Sequence, residues 1–429
     1  MIVGQIINLK RMLANNKKSR ESLCGMQDRR LKLLIRYAYA NISYYRRMFD
    51  DKGITPDDIS GTRDLWKIPI TTKKQIQCLP LKDILDKNVA VRDLIKVRTN
   101  GSTGLPLEML YTKKDYSALN INWIRPLLVN GVKPWYKRLE ITGEHNLSCE
   151  KKWYNNIGLW AIDRVSIFKD PEEWVREWFR NKPDYLYGYS GSLKLFARYI
   201  KENNIGGINP KYIFGVSDLA DHSCREVIKS AFDMDLLDLY GAAEAGCVAW
   251  QCGKCEGHHI NSDTVIIEVV RNGKTAEIGE NGNIIITNLH SYPMPFIRYD
   301  LGDIGALSES NPFCGIGLPL MKVIEGRSDA YVVMPSGRAL STLYFDNLMK
   351  PVRGVKDWKV LQDRSGKITI FIVKENDSDA VSNIRSRFEN RISENVAYDI
   401  KAVEALPKDK SGKVRAVISE MDKDRRNFS

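Results

Sequence analysis

The chain reads as an α/β protein: a large N-terminal domain with mainly parallel sheets and a β-rich subdomain, followed by a small α+β C-terminal domain. Three observations predict this. From Pro183 the apolar stretches PDYLYGY, KYIFGVS and LLDLYGA alternate with the amphipathic stretches SGSLKLFARYIKEN and DHSCREVIKSAFD, the rhythm of right-handed crossovers and a largely parallel sheet. After Asp263 two β-branched runs, TVIIEVV and GNIIITNL, flank a turn at RNGK. Past the GRSD tetrapeptide, a hairpin pattern (VKDWKVLQDRSGKITIFIV), a helical one (SDAVSNIRSRFENRISE) and a strand–loop–strand (YDIKAVEALPKDKSGKVRAVIS) form a smaller unit. The boundary falls near Ser328, giving domains 1–327 and 328–429.

Taken in order, residues 1 to about 66 read as helical, with apolar spacing in RRLKLLIRYAYANISYYRRMF and a polar turn at ITPDDIS. The aromatic stripe Tyr37, Tyr39, Tyr44 and Tyr45 is assigned to packing. LWKIPITTKKQI leads into another helix. DLIKVR and PLEMLYT then read as strands around RTNGSTG, and DYSALNINWIRPLLVNG as an amphipathic helix. In the parallel region, Ser190 or Ser192 is expected to cap the helix after the first strand.

At 429 residues the length suggests roughly two to three domains. No apolar run is long enough to span a bilayer, and the first residues lack the apolar core of a signal peptide, so a cytoplasmic location is expected. The net charge of +12 is spread among acidic residues, which argues against nucleic-acid binding and for a basic surface that attracts phosphates or an anionic lipid face. Eight cysteines in such a chain do not suggest a disulfide framework. Cys24, Cys78, Cys149 and Cys224 are expected to be buried small apolar residues.

The glycine-rich stretch suits a phosphate. Gly101 and Gly104 let backbone N–H groups aim at an anion, while Thr99, Asn100, Ser102 and Thr103 supply short donors. No GKS or GKT follows, and the flanks are strands, so a P-loop or dinucleotide fingerprint is disfavoured. An ordinary loop has the same composition. Ligands of parallel sheets sit at the carboxyl ends of strands, where three pieces would converge: Tyr187, Gly188, Tyr189 and Ser190; Val216, Ser217 and Asp218; and Tyr240, Gly241, Ala242 and Glu244. Glu244 could hold Mg²⁺ bound to phosphate or simply charge a helix N-terminus. Asp303, between two glycines in RYDLGDIG, suits ribose hydroxyls or an Asp turn. Lys413, after a flexible turn, could reach a carboxylate or phosphate, or be a solvated lysine.

Cys252 and Cys255, with His258 or His259 shortly after and Cys314 far downstream, have the donor types and spacing of a closed tetrahedral zinc site. His259 is preferred because it directly precedes Ile260; free thiols, or Cys247 as an intruding ligand, are the alternatives.

In their order, TNGSTG, YGAAE, RYDLGD, GRSD and the C-terminal SGK resemble the acyl-adenylate-forming superfamily. The match, including YAYANISYYRRMF and LWKIPITTKKQI, looks most like the phenylacetate–CoA ligase family, and within it the branch associated with capsular polysaccharide synthesis. The resemblance implies ATP, Mg²⁺ and a carboxylic acid as ligands, with CoA as the default acyl acceptor and a sugar amine, a hydroxyl or a carrier-protein thiol as alternatives. It implies that residues 99–104 hold the β- and γ-phosphates and Glu244 the Mg²⁺. Tyr240, Gly241, Ala242, Ser217 and Asp218 would flank adenine, Asp303 would take the ribose with Arg327 nearby, and Tyr187 to Ser190 would line the acid. Lys413 would bridge carboxylate and α-phosphate, carried by a mobile C-terminal lid hinged at Ser328 or Asp329. Branch members often carry a late cysteine-rich turn like PFCGIG, which supports Cys314 as a Zn²⁺ ligand. The resemblance is compatible with a homodimer. A catalytically silent, zinc-containing scaffold of the same fold is the reading from another class.

Overall fold

The computed structural model describes the chain except for residues 1, 99–106, 148–152, 218–219, 221, 310–311, 326–330, 337, 350, 375–378, 393, 405, 407–416 and 422–429. Along the chain, α1 (Ile2–Asn15), α2 (Arg20–Asn41), α3 (Ser43–Lys52), α4 (Lys73–Cys78) and α5 (Leu81–Ile84) precede the strands β1 (Ile95–Arg98) and β2 (Glu108–Tyr111) and the helix α6 (Lys113–Val129). Then come β3 (Arg138–Thr142), α7 (Glu144–Leu147), α8 (Trp153–Asn156), β4 (Ile162–Ser166), α9 (Pro171–Asn181), β5 (Tyr185–Tyr189), α10 (Ser190–Glu202), β6 (Ile213–Val216), α11 (His222–Phe232) and β7 (Leu236–Ala242). The β-rich run is β8 (Gly246–Trp250), β9 (His258–Ile260), β10 (Val265–Arg271), β11 (Lys274–Thr275), β12 (Gly282–Asn288), β13 (Tyr299–Leu307) and β14 (Leu320–Glu325). The last part holds β15 (Tyr331–Val333), β16 (Ala339–Ser341), α12 (Thr342–Met349), β17 (Val355–Gln362), β18 (Ile368–Lys374), α13 (Ala380–Glu389), β19 (Tyr398–Ala402) and β20 (Val417–Ser419).

Two compact units result. The first comprises Met1–Thr99, Leu107–Lys133 and Leu237–Gly326; the second comprises Asn100–Pro106, Pro134–Leu236 and Arg327–Ser429. In the first, the order β11-β10-β12-β13-β14-β9-β8-β7 is antiparallel throughout. Asn272 (φ 50°) and Gly273 (φ 77°) make the tight turn from β10 to β11, since only residues tolerant of positive φ match the strand twist there. One core of this unit joins Met109, Leu110 and Tyr111 of β2 to Val248, Ile284, Ile286, Phe296 and Met321. A second buries α2 and α3 against Ile266, Leu289 and Ile297. The tyrosine stripe packs as expected: Tyr45 is fully buried, its hydroxyl donating to the Pro295 carbonyl (2.9 Å) and accepting from the Ile297 N–H (3.1 Å).

α6 is tied to this unit by a buried ionic cluster. Arg125 pairs with Asp263 (2.6 Å) and donates to Asn16 and Asn261, both partners of the ion pair being almost wholly enclosed. The surrounding network helps to offset the cost of burying the pair: Asn15 donates to the second Asp263 oxygen and Trp250 donates to Asn261, while the Arg125 Nη2 is buried without a hydrogen-bond partner.

In the second unit β6-β5-β3-β4 is parallel, as the βαβ rhythm predicts for β5 and β6. β3 and β4 were not anticipated by the sequence pattern. The C-terminal sheet, β19-β18-β17-β20, with α12 and α13, closes its own core around Phe345, Val360, Ile370, Ile384 and Phe388. The expected hairpin is β17–β18, and the expected helix is α13.

Three expectations are corrected. Tyr189, not Ser190 or Ser192, occupies the N-cap of α10; Ser190 is already the first helical residue, buried beneath it. Cys24 and Cys78 are exposed, because Leu23 and Met26 take the inward positions in α2 and Ile76 does so in α4. Cys224 is buried as expected, and Cys149 lies outside the described residues. Among the described residues no helix is long and apolar enough to cross a membrane.

Candidate functional site

Glu244 sits in the turn between the antiparallel strands β7 and β8, not at a helix N-terminus. The turn is pinned through its backbone. The Tyr111 hydroxyl donates to the Ala243 carbonyl (2.9 Å), the Asn288 amide to the Glu244 carbonyl (2.7 Å), and the Ala245 N–H to the Ala242 carbonyl (3.1 Å). These bonds hold the main chain of the turn that carries Glu244. Glu244 is buried, with 6% of the residue exposed. Burial, with the Glu244 charge nearby, holds the Tyr111 hydroxyl well above its ordinary pKa, so it stays a neutral donor. Tyr111 ends β2, the strand that leaves the glycine-rich stretch, so the stem of that stretch and the Glu244 turn are fastened together within one unit.

Tyr240 and Asp303 meet: the phenol donates to the carboxylate at 2.8 Å. Asp303 lies within β13 after Gly302 (φ 75°), at an irregularity between Ile304 and Gly305, and is not the turn residue that its glycine neighbours suggested. Gly241 is required by a neighbour. A Cβ there would stand 2.3 Å from the Trp123 ring of α6, and at Gly246 (φ 72°) it would stand 3.0 Å from the Leu119 carbonyl.

In the second unit the carboxyl end of β5 carries Tyr187, Gly188, Tyr189 and Ser190. The Arg138 guanidinium lies 4.4 Å from the Tyr187 ring centroid and pairs with Glu140 (2.9 Å), which also takes Arg164 (3.2 Å). Gly188 has no room for a side chain, because a Cβ would meet the Ile141 carbonyl at 2.7 Å. The Tyr189 hydroxyl accepts from the Gly143 N–H (3.3 Å). Ser217, exposed at the end of β6, holds a left-handed φ of 70°, a strained state for a residue with a side chain.

Cys252, Cys255, His259 and Cys314 come together with all donor atoms within 4.8 Å of one another. His259 Nε2 lies 3.3 Å from Cys252 Sγ and 3.4 Å from Cys314 Sγ. Its Nδ1 faces the Leu318 carbonyl at 3.3 Å, which favours the proton on Nδ1 and leaves the Nε2 lone pair toward the thiols. His258 points elsewhere, with Nε2 2.8 Å from Asp238, and the buried Cys247 contacts the Ala249 carbonyl instead. Alternation along β9 explains the choice, since adjacent strand residues face opposite ways. Burial opposes ionisation of Cys252, but His259 and the N–H groups of Lys254 and Cys255 outweigh it and lower its pKa. Cys314 is pushed up to about 12, mainly by burial and then by the neighbouring thiols. Three soft sulfurs and one imidazole, with all donor atoms within 4.8 Å of one another, fit Zn²⁺ as a closed four-ligand set.

Thr99, Asn100, Gly101, Ser102, Thr103, Gly104, Asp218, Arg327 and Lys413 lie outside the described residues. Sequence reasoning missed Tyr111, Trp123 and Asn288. Each has an ordinary place in its element, and only the fold reveals what it touches.

Residues 332–420 match the family described as the CapK C-terminal domain. The phenylacetate–coenzyme A ligase of Thermus thermophilus is 23% identical, the alignment covering 93% of this chain and 97% of that protein. Protein CapK of Staphylococcus aureus is 23% identical over 94% of this chain and 91% of its own length. Among solved structures, 2-hydroxyisobutyryl-CoA ligase, in complex with 2-HIB-AMP and CoA, superposes with a TM-score of 0.67 at 16% identity, covering 96% of this chain and 92% of that one. The fold is therefore that of the adenylate-forming CoA ligases.

Proposed function

We propose that this chain, a relative of the phenylacetate–coenzyme A ligases and of CapK, is an AMP-forming acid–thiol ligase. A carboxylate oxygen attacks the α-phosphorus of ATP and pyrophosphate leaves. The thiol of CoA then attacks the acyl-adenylate carbonyl, AMP departs with one carboxylate oxygen, and the thiol proton is released.

The observation that carries this reading is the Glu244 turn, pinned by Tyr111 and Asn288 at the carboxyl end of β7, beside the Tyr240–Asp303 pair. Catalysis of phosphoryl and nucleotidyl transfer is mostly positioning and charge stabilisation, so a carboxylate on a clamped turn has a direct use. As a hard oxygen donor, Glu244 fits Mg²⁺, whose charge would offset that of the phosphates. Asp303, oriented by Tyr240, accepts the ribose hydroxyls. Tyr240, Gly241 and Ala242, with Ser217 and Asp218, flank the adenine. Residues 99–104 take the outer phosphates through N–H and hydroxyl groups, and Arg327 lies by the ribose. Tyr187, Gly188, Tyr189 and Ser190 line the acid. Lys413 supplies positive charge between carboxylate and α-phosphate, on a C-terminal lid (328–429) that rotates between the two half-reactions.

Cys252, Cys255, His259 and Cys314 hold a structural Zn²⁺ that staples β9 to the loops on either side. Transfer to a sugar amine, a hydroxyl or a carrier thiol is the second reading, favoured by the CapK-type C-terminal segment.

Carboxylate-dependent ATP–pyrophosphate exchange across aryl, fatty, amino and sugar acids tests the proposal. One acid class should support exchange, and added CoA should give AMP and a thioester. Exchange without thioester would favour the second reading. Absence of exchange with every acid in wild type, Glu244→Ala and Lys413→Ala alike would identify a silent scaffold.

A further inference from the structure

We infer that Phe168 is a positioning residue for the C-terminal domain: gripped between Arg391 and Tyr344, it seats that domain on the parallel sheet and so sets the balance between the two half-reactions. This rests on the activity and the lid movement proposed above.

Phe168 follows β4 in a turn that is fastened on several sides. Its own N–H donates to the Ser166 hydroxyl (3.2 Å), and the Ile167 N–H donates to the Thr142 carbonyl of β3 (3.0 Å). The Ser166 carbonyl accepts from the Lys169 N–H (3.2 Å) and from the Trp174 indole of α9 (3.0 Å). The ring that this turn projects therefore moves with β3, β4 and α9.

That ring packs against the core of the C-terminal domain, which belongs to the same compact unit. Its centroid lies 5.1 Å from that of Tyr344 in α12, with the two planes inclined at 66°. The Arg391 guanidinium, in the turn after α13, stands 3.8 Å from the Phe168 centroid. The Tyr344 hydroxyl donates to the Arg391 carbonyl (3.4 Å), so the two walls of the slot are tied to each other. Tyr344 is buried and carries the contact inward to Phe345, in the C-terminal core. β16 also lies against α10, so the domain rests on the parallel-sheet region at more than one point.

The size of the contact suits a seat rather than a lock. One edge-to-face ring pair and one cation–π contact favour a docked state by about five- to thirtyfold. A bias of that order shifts an equilibrium between two placements of a domain without abolishing either. A lid that leaves its seat in every turnover needs a contact in this range, and its strength then decides how the two placements share the time.

The test uses the full chain with Phe168→Ala, Phe168→Leu, Arg391→Ala and the double variant Phe168→Ala/Arg391→Ala. Acid-dependent ATP–pyrophosphate exchange reads the first half-reaction. Single-turnover decay of enzyme-bound acyl-adenylate on adding CoA reads the second. Phe168→Ala should change the ratio of the two rates about fivefold or more, with one half-reaction faster than in wild type, because a seat that favours one placement holds back the other. Phe168→Leu and Arg391→Ala should shift the ratio less and in the same direction. The double variant should go little beyond Phe168→Ala, since both substitutions remove one contact. Without ligands, hydrogen–deuterium exchange should rise in α12 of Phe168→Ala and stay unchanged in β17 and β18; this readout decides alone if CoA is not the acceptor. Should Phe168→Ala fail to fold, Phe168→Leu and Arg391→Ala decide the matter. A parallel fall of both rates, an unaltered ratio, or unchanged exchange in α12 would overturn the inference while leaving the activity intact. Absence of pyrophosphate exchange in wild type with any acid would overturn the activity itself, and this assignment with it.

Discussion

In the first unit the hairpin β7–β8 ends in the Glu244 turn, and the next hairpin, β8–β9, carries His259 to Cys252, Cys255 and Cys314. The two regions share β8 but are constructed differently. Around Glu244, hydrogen bonds from Tyr111, Asn288 and Ala245 fall on main-chain carbonyls and pin the turn through its backbone. Around His259 the side chains themselves are the structure: four donors converge, while the Leu318 carbonyl at Nδ1 and the Trp250 ring 5.0 Å away aim the imidazole. The contrast teaches that the first region spends its scaffold on presenting a group, whereas the second uses its groups as scaffold. Removing a side chain should therefore affect chemistry in one region and stability in the other.

The sharpest way to break this contrast is Glu244→Ala. Exchange should fall by about 10²–10³-fold, the usual effect of deleting one preorganised electrostatic group, while thermal melting stays within a few degrees of wild type. A large loss of stability would show that Glu244 is part of the scaffold after all.

Cys252→Ser should do the reverse. About one Zn²⁺ per chain should disappear by elemental analysis, and the melting temperature should fall by several degrees, because metal binding contributes directly to folding. Below the new melting temperature, exchange should stay within about tenfold of wild type. Unchanged metal content would remove the zinc assignment.

Tyr111→Phe sharpens the comparison by loosening the clamp without touching the carboxylate. Loss of one buried donor should cost about 1–2 kcal/mol of stability, with a drop in exchange smaller than that of Glu244→Ala. Denaturant unfolding and exchange on the same sample read both.

A smaller effect is expected from pH. Burial, and next the Arg30 guanidinium, hold the His290 pKa down to about 4. In the unfolded chain it titrates near 6.5. Since the folded state resists the proton, stability should be full above about pH 6.5 and should decline as pH falls from there through about 4. His290→Asn should flatten that part of the profile in urea unfolding.

Legibility from the sequence followed the same division. The meeting of Cys252, Cys255, His259 and Cys314 could be read because Cys and His in that spacing have few other uses, and strand alternation in β9 sets His259 rather than His258 toward the thiols. The parallel strands β5 and β6 showed through their apolar runs and intervening helices. β3 and β4 did not, because Arg138, Glu140 and Arg164 share the face that also carries Tyr187, and charges there hide the apolar period. Asp303 was singled out through its glycines, and the structure pairs it with Tyr240, yet the same glycines suggested a turn where β13 continues through an irregularity. Tyr111, Asn288 and Trp123 were invisible for a different reason: each acts on a residue far along the chain, 132 positions away for Tyr111 and 44 for Asn288, and no local pattern encodes such a partner.

The central claim is the acyl-adenylate, and isotope transfer tests it most directly. The chain would be incubated with ATP, CoA and the best acid carrying ¹⁸O in its carboxylate, and the nucleotide product analysed by mass spectrometry. The account predicts AMP bearing one ¹⁸O, at a rate matching pyrophosphate release, with no label appearing in AMP for Glu244→Ala on the same timescale. Unlabelled AMP, or ADP and phosphate as the products, would contradict it.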